Sequence, residues 1–127
     1  MKKAAAVLIY LLFSASLAYA DDIKVKPLSF FANPDPYCEA GISVSGRTFY
    51  ETKGIGSYNV TVRVYRADVL TGTYSLGNFY GESPVWVGYF IDTTIPCSIP
   101  GVYTVKISFR TTRDGVTKDL YTKIRVK

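Results

Sequence analysis

Apolar and polar residues alternate along most of the chain after its first 22 residues. The clearest runs are 58–65 and 103–110, where every second side chain is aliphatic or aromatic. Because successive side chains of a β-strand point to opposite faces of a sheet, this pattern predicts strands with one buried and one solvated face. Segments rich in Gly, Pro, Asn and Asp separate the runs. We therefore predict an all-β fold, an antiparallel immunoglobulin-like β-sandwich of about seven strands.

The first 20 residues have the organisation of a secretory signal peptide. Two lysines are followed by an apolar run over 4–17 and by Ala18-Tyr19-Ala20, a small-x-small cleavage pattern. The apolar run is shorter than the roughly 20 residues of a membrane-spanning helix, so we expect cleavage rather than retention as an anchor. The expected product is a single domain, residues 21–127, without a membrane span. Its expected location is periplasmic or extracellular.

Several connections are predicted from glycine and proline. We expect loops at 51–57 and 77–84, and a hairpin turn at Arg113-Asp114-Gly115. A weaker strand is expected at 69–76, and the strand expected at 85–91 is apolar on both faces.

Histidine is absent from the sequence, which removes the Ser-His-Asp and Cys-His nucleophile arrangements and most catalytic zinc sites. The acidic residues fall mostly in or beside turns, and their spacing predicts no pair of carboxylates facing one cleft. A calcium site formed by Asp35 with Glu39, or by Asp92 with loop carbonyls, is an alternative without EF-hand spacing. We therefore predict no enzyme activity, no cofactor and no metal.

The formal net charge of +5 falls to +3 when the signal peptide, with its two lysines and no acids, is removed. No consecutive Lys or Arg residues occur after residue 20. A modest and scattered positive charge on an exported protein predicts no nucleic-acid partner.

Cys38 and Cys97 are the two cysteines of the chain. An even pair in an oxidising compartment predicts one disulfide, and the absence of CxxC spacing indicates a structural rather than a redox role. Closing the long loop between Cys38 and Cys97 would stabilise the protein by about 4 kcal/mol in the chain-entropy model.

The segment Pro100-Gly101-Val102-Tyr103-Thr104-Val105 resembles the P-G-x-Y-x-V motif of bacterial immunoglobulin-like and fibronectin type III-like domains. The order of a strand at 59–65, a two-sided strand and this motif is similar to CARDB-type domains. The resemblance implies that Tyr103 occupies a tyrosine-corner position. Val105 stands where an antibody domain has its core cysteine. The resemblance also implies that Cys38 and Cys97 are bonded across one end of the sandwich, where both strand connections lie.

Five aromatic residues occur between positions 79 and 90. They alternate between faces, so we expect some to be exposed, where flat rings stack on sugars or anchor protein partners. The precedent of immunoglobulin-like sandwiches places Trp86 in the core. The candidate ligand-binding residues are Tyr80, Trp86, Tyr89 and Tyr121, and Tyr65 is expected to add to a surface patch with Tyr121.

The leading functional hypothesis is an exported, non-catalytic module that acts in adhesion or assembly at the cell envelope. Its expected partner is an envelope or extracellular protein, bound through strand addition at a sheet edge. A first alternative is a polysaccharide-binding module that uses Trp86, Tyr89 or Tyr80. A second alternative is a protease inhibitor that uses the loop at 51–57 or at 77–84.

Overall fold

The computed structural model describes residues 23–31 and 37–127. The predicted signal peptide, residues 1–20, lies outside the described residues, as does Asp35. Within the described ranges the secondary structure consists of six β-strands: β1 (Lys24–Ser29), β2 (Tyr37–Cys38), β3 (Ser43–Arg66), β4 (Val69–Pro96), β5 (Gly101–Thr111) and β6 (Thr117–Val126). In the part of the chain that the structure describes, no helix is long and apolar enough to cross a membrane.

The six strands form one hydrogen-bonded sheet in the order β1-β3-β5-β6-β2, and β4 pairs with β3. Neighbouring strands are antiparallel except for the short parallel pair of β2 with β6. The first half of β3 pairs with β1 and its second half with β5, while β4 follows β3 along nearly its whole length. The predicted all-β, antiparallel class is confirmed.

β3 bends at its middle, so that the two halves of the sheet face each other. Tyr50 and Tyr58 are 8 residues apart in sequence, yet their hydroxyl oxygens lie 3.0 Å apart. In a straight strand this separation would span about 26 Å, too far for two tyrosine side chains to meet. Gly54 lies between them with a φ of 98°, in the left-handed region that favours glycine. The bend converts one sheet into the two layers of a sandwich.

The core lies between these layers. Even-numbered residues of β3 from 44 to 64 face the interior without a change of phase, as the alternating burial along the strand shows. The centre of the Tyr50 ring, in the first layer, lies 4.7 Å from the centre of the Phe109 ring, in the second layer. Five aliphatic and aromatic side chains are 0% exposed: Val60, Val62, Val105, Ile107 and Phe109.

Cys38 and Cys97 form the predicted disulfide, with Cα atoms 6.3 Å apart. Both are buried, and their backbones are tied to neighbouring strands. The N–H of Lys127 donates to the Cys38 carbonyl at 2.9 Å, and the N–H of Cys97 donates to the Ile42 carbonyl at 2.8 Å. The bond therefore closes the end of the sandwich where β4 and β6 finish.

The Tyr103 hydroxyl donates a hydrogen bond to the Ile99 carbonyl at 2.7 Å, four residues upstream. This is the geometry of a tyrosine corner, as the resemblance implies. It holds the start of β5 against the preceding turn, at the same end as the disulfide.

The predicted count of about seven strands is not confirmed, and two predicted loops were wrong. Residues 51–57 lie within β3 and residues 77–84 within β4, and the predicted strands at 69–76 and 85–91 are parts of the same β4. Glycine and proline in these segments bend the paired strands or form bulges instead of ending them. The predicted turn at 113–115 is confirmed, since it lies between β5 and β6.

Candidate binding surfaces

β4 is the longest strand and is paired on one side only. It pairs with β3, and no other described strand is hydrogen-bonded to it. β3, by contrast, has β4 on one side and β1 or β5 on the other. Every second residue of an antiparallel edge strand directs its N–H and C=O away from the sheet. Within the described residues, β4 therefore presents a row of unpaired backbone groups.

Bulges divide this edge into regular stretches. The register against β3 skips one residue at Thr71 and one at Leu76. In the largest irregularity, residues 84–86 of β4 lie opposite Lys53 alone. Because a bulge twists a strand and interrupts its ladder, the stretches 77–83 and 87–96 are the ones with regular geometry for accepting another strand.

The β4 edge lacks the lysines that commonly prevent strand pairing. Glu82 and Asp92 are its charged residues, and no Lys or Arg occurs between Val69 and Pro96. Arg47 of β3 donates from Nε to Oδ1 of Asp92 at 2.9 Å. This hydrogen bond lowers the pKa of the Asp92 carboxyl and offsets its charge.

Exposed apolar side chains accompany the open edge. The rings of Phe90 and Phe49 lie 6.4 Å apart, and the guanidinium of Arg47 lies 3.9 Å from the centre of the Phe90 ring. Apolar surface beside unpaired backbone groups is typical of a protein-binding site. The large hydrophobic side chains exposed on β4 are Val69, Leu70, Tyr80, Val85, Trp86, Tyr89 and Phe90.

Trp86 lies on the surface, so its expected place in the core was wrong. Its side chain is 41% exposed, and the ammonium of Lys26 lies 5.8 Å from the ring centre. The interior is filled instead by tyrosine and phenylalanine, because the ring of Tyr50 packs against both Tyr58 and Phe109. Trp86 belongs to the 84–86 bulge, which displaces it from regular pairing.

The other three candidate residues are also exposed, but the four do not form one platform. Tyr80 lies opposite Ser57 in the β3–β4 ladder, and Tyr89 places its ring 5.8 Å from the inward-facing Tyr50. Tyr121 belongs to β6, where it lies opposite Lys106 in the other layer. A flat surface made by Trp86, Tyr89 and Tyr80 together is therefore not present.

A groove of about 490 Å³ lies at the end of the sandwich opposite the disulfide. The start of β1 forms one wall and the turn between β5 and β6 forms another, while Trp86 reaches in from the β4 bulge. The lining combines apolar and charged side chains. The apolar ones include Val25, Pro27, Trp86 and Val116, and the charged ones are Lys24, Lys26, Lys118 and Asp114.

The outer face of the layer that contains β5 is polar. A shallow depression of about 360 Å³ lies there. Its lining carries arginine, asparagine, serine and threonine side chains and no aromatic ring: Asn59, Thr61, Arg63, Ser75, Asn78, Ser108, Arg110 and Thr117. Nearby, the ammonium of Lys106 lies 5.8 Å from the ring centre of Tyr65.

The described residues contain no group of three or more His, Cys, Asp or Glu side chains placed to hold a metal ion. Asp92, one of the residues considered for calcium, is hydrogen-bonded to Arg47 instead. The prominent surface features of the described residues are the open edge of β4 and the groove that combines apolar and cationic side chains.

No family model and no curated protein matches the sequence. Among solved structures, the CARDB domain of a Pyrococcus furiosus protein, determined in complex with di-metal ions, is similar over 85% of this chain and 94% of that chain, with a TM-score of 0.50 and 10% identity. A family 123 glycoside hydrolase from Clostridium perfringens is similar over 84% of this chain but only 27% of the hydrolase chain, with a TM-score of 0.50 and 11% identity. At these identities the likeness shows the fold, and the resemblance to CARDB-type sandwiches is confirmed at that level.

Sequence reasoning identified Tyr80, Trp86 and Tyr89 as candidates, but it missed that they lie on an open edge strand, and it missed Phe49. Phe49 carried no signal, because an aromatic residue in an alternating run is expected in the core. The continuity of β3 through the presumed loop has little sequence signal, because the inward positions Thr52, Gly54 and Gly56 are not hydrophobic. Which side of a strand remains unpaired depends on topology and has no local signature.

Proposed function

We propose that this protein is an exported, non-catalytic module that binds an envelope or extracellular protein along the open edge of β4. The single observation that carries the proposal is a 28-residue strand bonded on one side only. An added strand would satisfy the outward N–H and C=O groups, while exposed side chains such as Tyr80 and Phe90 would contribute specificity.

Export is supported by two features. The first 20 residues have the pattern of a signal peptide, and the single cysteine pair forms a disulfide. Disulfides form and persist mainly in the periplasm, on cell surfaces and in secreted proteins. A partner in the same compartment follows from this location.

Carbohydrate binding is a second candidate function, and the exposure of Trp86 in a groove favours it. The protease-inhibitor hypothesis is not retained, because it required free loops at 51–57 and 77–84. Both segments are strands paired with each other.

The experiment is a capture of partners from the envelope fraction of the native host, using the tagged and oxidised protein. Tyr80→Lys and Thr94→Lys each place a lysine on the β4 edge, where both native side chains are exposed. Thr104→Lys is the matched control, because β5 is flanked by β3 and β6 at this position. Each variant is first checked for unchanged thermal unfolding.

We expect a protein partner that is retained by wild type and by Thr104→Lys and lost by both β4 variants. Hydrogen exchange of the complex should then show new protection within 77–83 or 87–96. A partner that binds all four proteins equally, or that protects a different strand, would refute the β4 proposal.

A further inference from the structure

We propose that the groove opposite the disulfide binds an acidic saccharide, with a sugar ring against Trp86 and its anionic group among Lys24, Lys26 and Lys118. This inference rests on the second candidate function, carbohydrate binding, and does not depend on the β4-edge proposal. The groove uses the β4 bulge but neither of the regular stretches, 77–83 and 87–96.

Trp86 supplies the surface for the ring. The axial C–H groups of a pyranose form an apolar face, and indole is the largest flat side chain on which such a face can stack. Trp86 is 41% exposed, and it lines the groove together with Val25, Pro27 and Val116. The groove thus offers an exposed indole beside aliphatic side chains, the surface on which a sugar ring can stack.

Three lysines give the groove its preference for a negative charge. Lys24 and Lys26 come from β1, and Lys118 comes from the start of β6, so the groove is lined by lysines of two strands. None of the three forms an ion pair with another described residue. The ammonium of Lys26 lies over the Trp86 ring at 5.8 Å from its centre, so charge and ring are presented together.

Asp114 distinguishes a saccharide from other anions. A carboxylate accepts hydrogen bonds from hydroxyl groups but repels phosphate-rich or polyanionic ligands that offer no donors. A uronic acid or a sulfated sugar carries both hydroxyl donors and an anionic group, and it therefore matches the combination of Asp114 with three lysines. The depression on the outer face of the β5 layer also carries arginine side chains, but its lining contains no aromatic ring.

The chain contains one tryptophan, so its fluorescence reports on this groove directly. The probes are hexagalacturonate and a sulfated hexasaccharide prepared from heparin, with neutral maltohexaose and sodium sulfate as controls. We expect at least one acidic hexasaccharide to produce a saturable blue shift of the Trp86 emission, because the ring would leave water. Maltohexaose and sulfate should produce none at the same concentrations.

Titration calorimetry of substituted proteins measures how much each groove residue contributes to the binding affinity. Trp86→Ala should weaken binding by about tenfold, the magnitude of a lost aromatic contact. Lys26→Ala and Lys118→Ala should each weaken it by about fivefold, as expected for exposed ionic contacts. Lys123→Ala is the matched control, because Lys123 is an exposed lysine in the middle of β6, away from the groove lining. It should change affinity by less than about twofold.

Three results would overturn the inference. The first is the absence of a saturable response to both acidic hexasaccharides. The second is equal affinity for maltohexaose, and the third is a loss in Lys123→Ala as large as that in Lys118→Ala, which would indicate unspecific charge attraction. Failure of this test leaves capture on β4 unaffected, because the partner experiment uses Tyr80→Lys and Thr94→Lys, outside the groove.

Discussion

β3 and β4 are bonded to each other along the hairpin but have different surroundings. β3 has neighbours on both sides, and its inward valines Val60 and Val62 are 0% exposed. β4 is bonded on one side, and Val85 in its bulge is 62% exposed. β3 thus supplies more of the core, whereas β4 combines inward residues such as Ile95 with several exposed apolar side chains.

This difference separates stability from recognition. A strand that is hydrogen-bonded and packed on all sides tolerates little change, because each substitution leaves a cavity or an unpaired group. An edge strand with exposed side chains can vary its sequence at small cost in folding free energy. We therefore expect binding variants in β4 to remain folded, whereas changes in β3 should act mainly on stability.

The largest expected effect concerns the disulfide, which anchors the chain just beyond the end of β4. Cys97 follows directly after Pro96, and its partner Cys38 is bonded by backbone to Lys127. Reducing the bond should lower the free energy of unfolding by about 4 kcal/mol. Urea unfolding of the oxidised protein and of the Cys38→Ala, Cys97→Ala double variant measures this. A difference below about 1 kcal/mol would show that the bond does not constrain the unfolded chain as the entropy model requires.

A matched pair of valines tests the contrast between the two strands. Val62→Ala in β3 should lower the free energy of unfolding by about 2 kcal/mol, since two buried methyl groups are lost and a cavity remains. Val85→Ala in β4 should cost less than about 0.5 kcal/mol. Denaturant unfolding of both variants checks the prediction, and equal costs would mean that β4 is packed as tightly as β3.

A smaller effect is expected at the bend of β3, where the buried Tyr50 and Tyr58 hydroxyls share a hydrogen bond. Tyr58→Phe should cost about 1 kcal/mol at neutral pH, because the Tyr50 hydroxyl loses its partner. The matched control is Tyr121→Phe, whose ring is 63% exposed on β6 and should show no measurable change.

The Tyr50–Tyr58 pair also predicts how the free energy of unfolding changes with pH. Burial raises the pKa of Tyr58 far above its ordinary value of 10.0, and the hydrogen bond with Tyr50 adds to the shift. Because the folded state holds this proton more tightly, the stabilisation is complete below about pH 10 and declines as the pH rises further. Tyr58→Phe should flatten that decline in unfolding measurements at alkaline pH. An unchanged slope would place the ionisation elsewhere.

The sequence predicted the strands whose alternation is strict, the disulfide and the turn at 113–115. It did not predict that 51–57 and 77–84 continue as strands, because glycine and proline mark bulges and bends as well as loops. Trp86 was misplaced for a related reason. Apolar side chains on both faces of 85–91 are typical of a buried strand, yet here they belong to an edge whose exposure is decided by distant pairing.

Residue-resolved amide hydrogen exchange of the oxidised protein tests the central claim, the open edge of β4, most directly. The account predicts slow exchange throughout Tyr58–Arg66 of β3 and fast exchange at every second residue within 87–96 of β4, with those amides becoming protected when the captured partner is added. Slow exchange at all positions of 87–96 in the free protein would contradict the account, because the outward N–H groups would then already be covered.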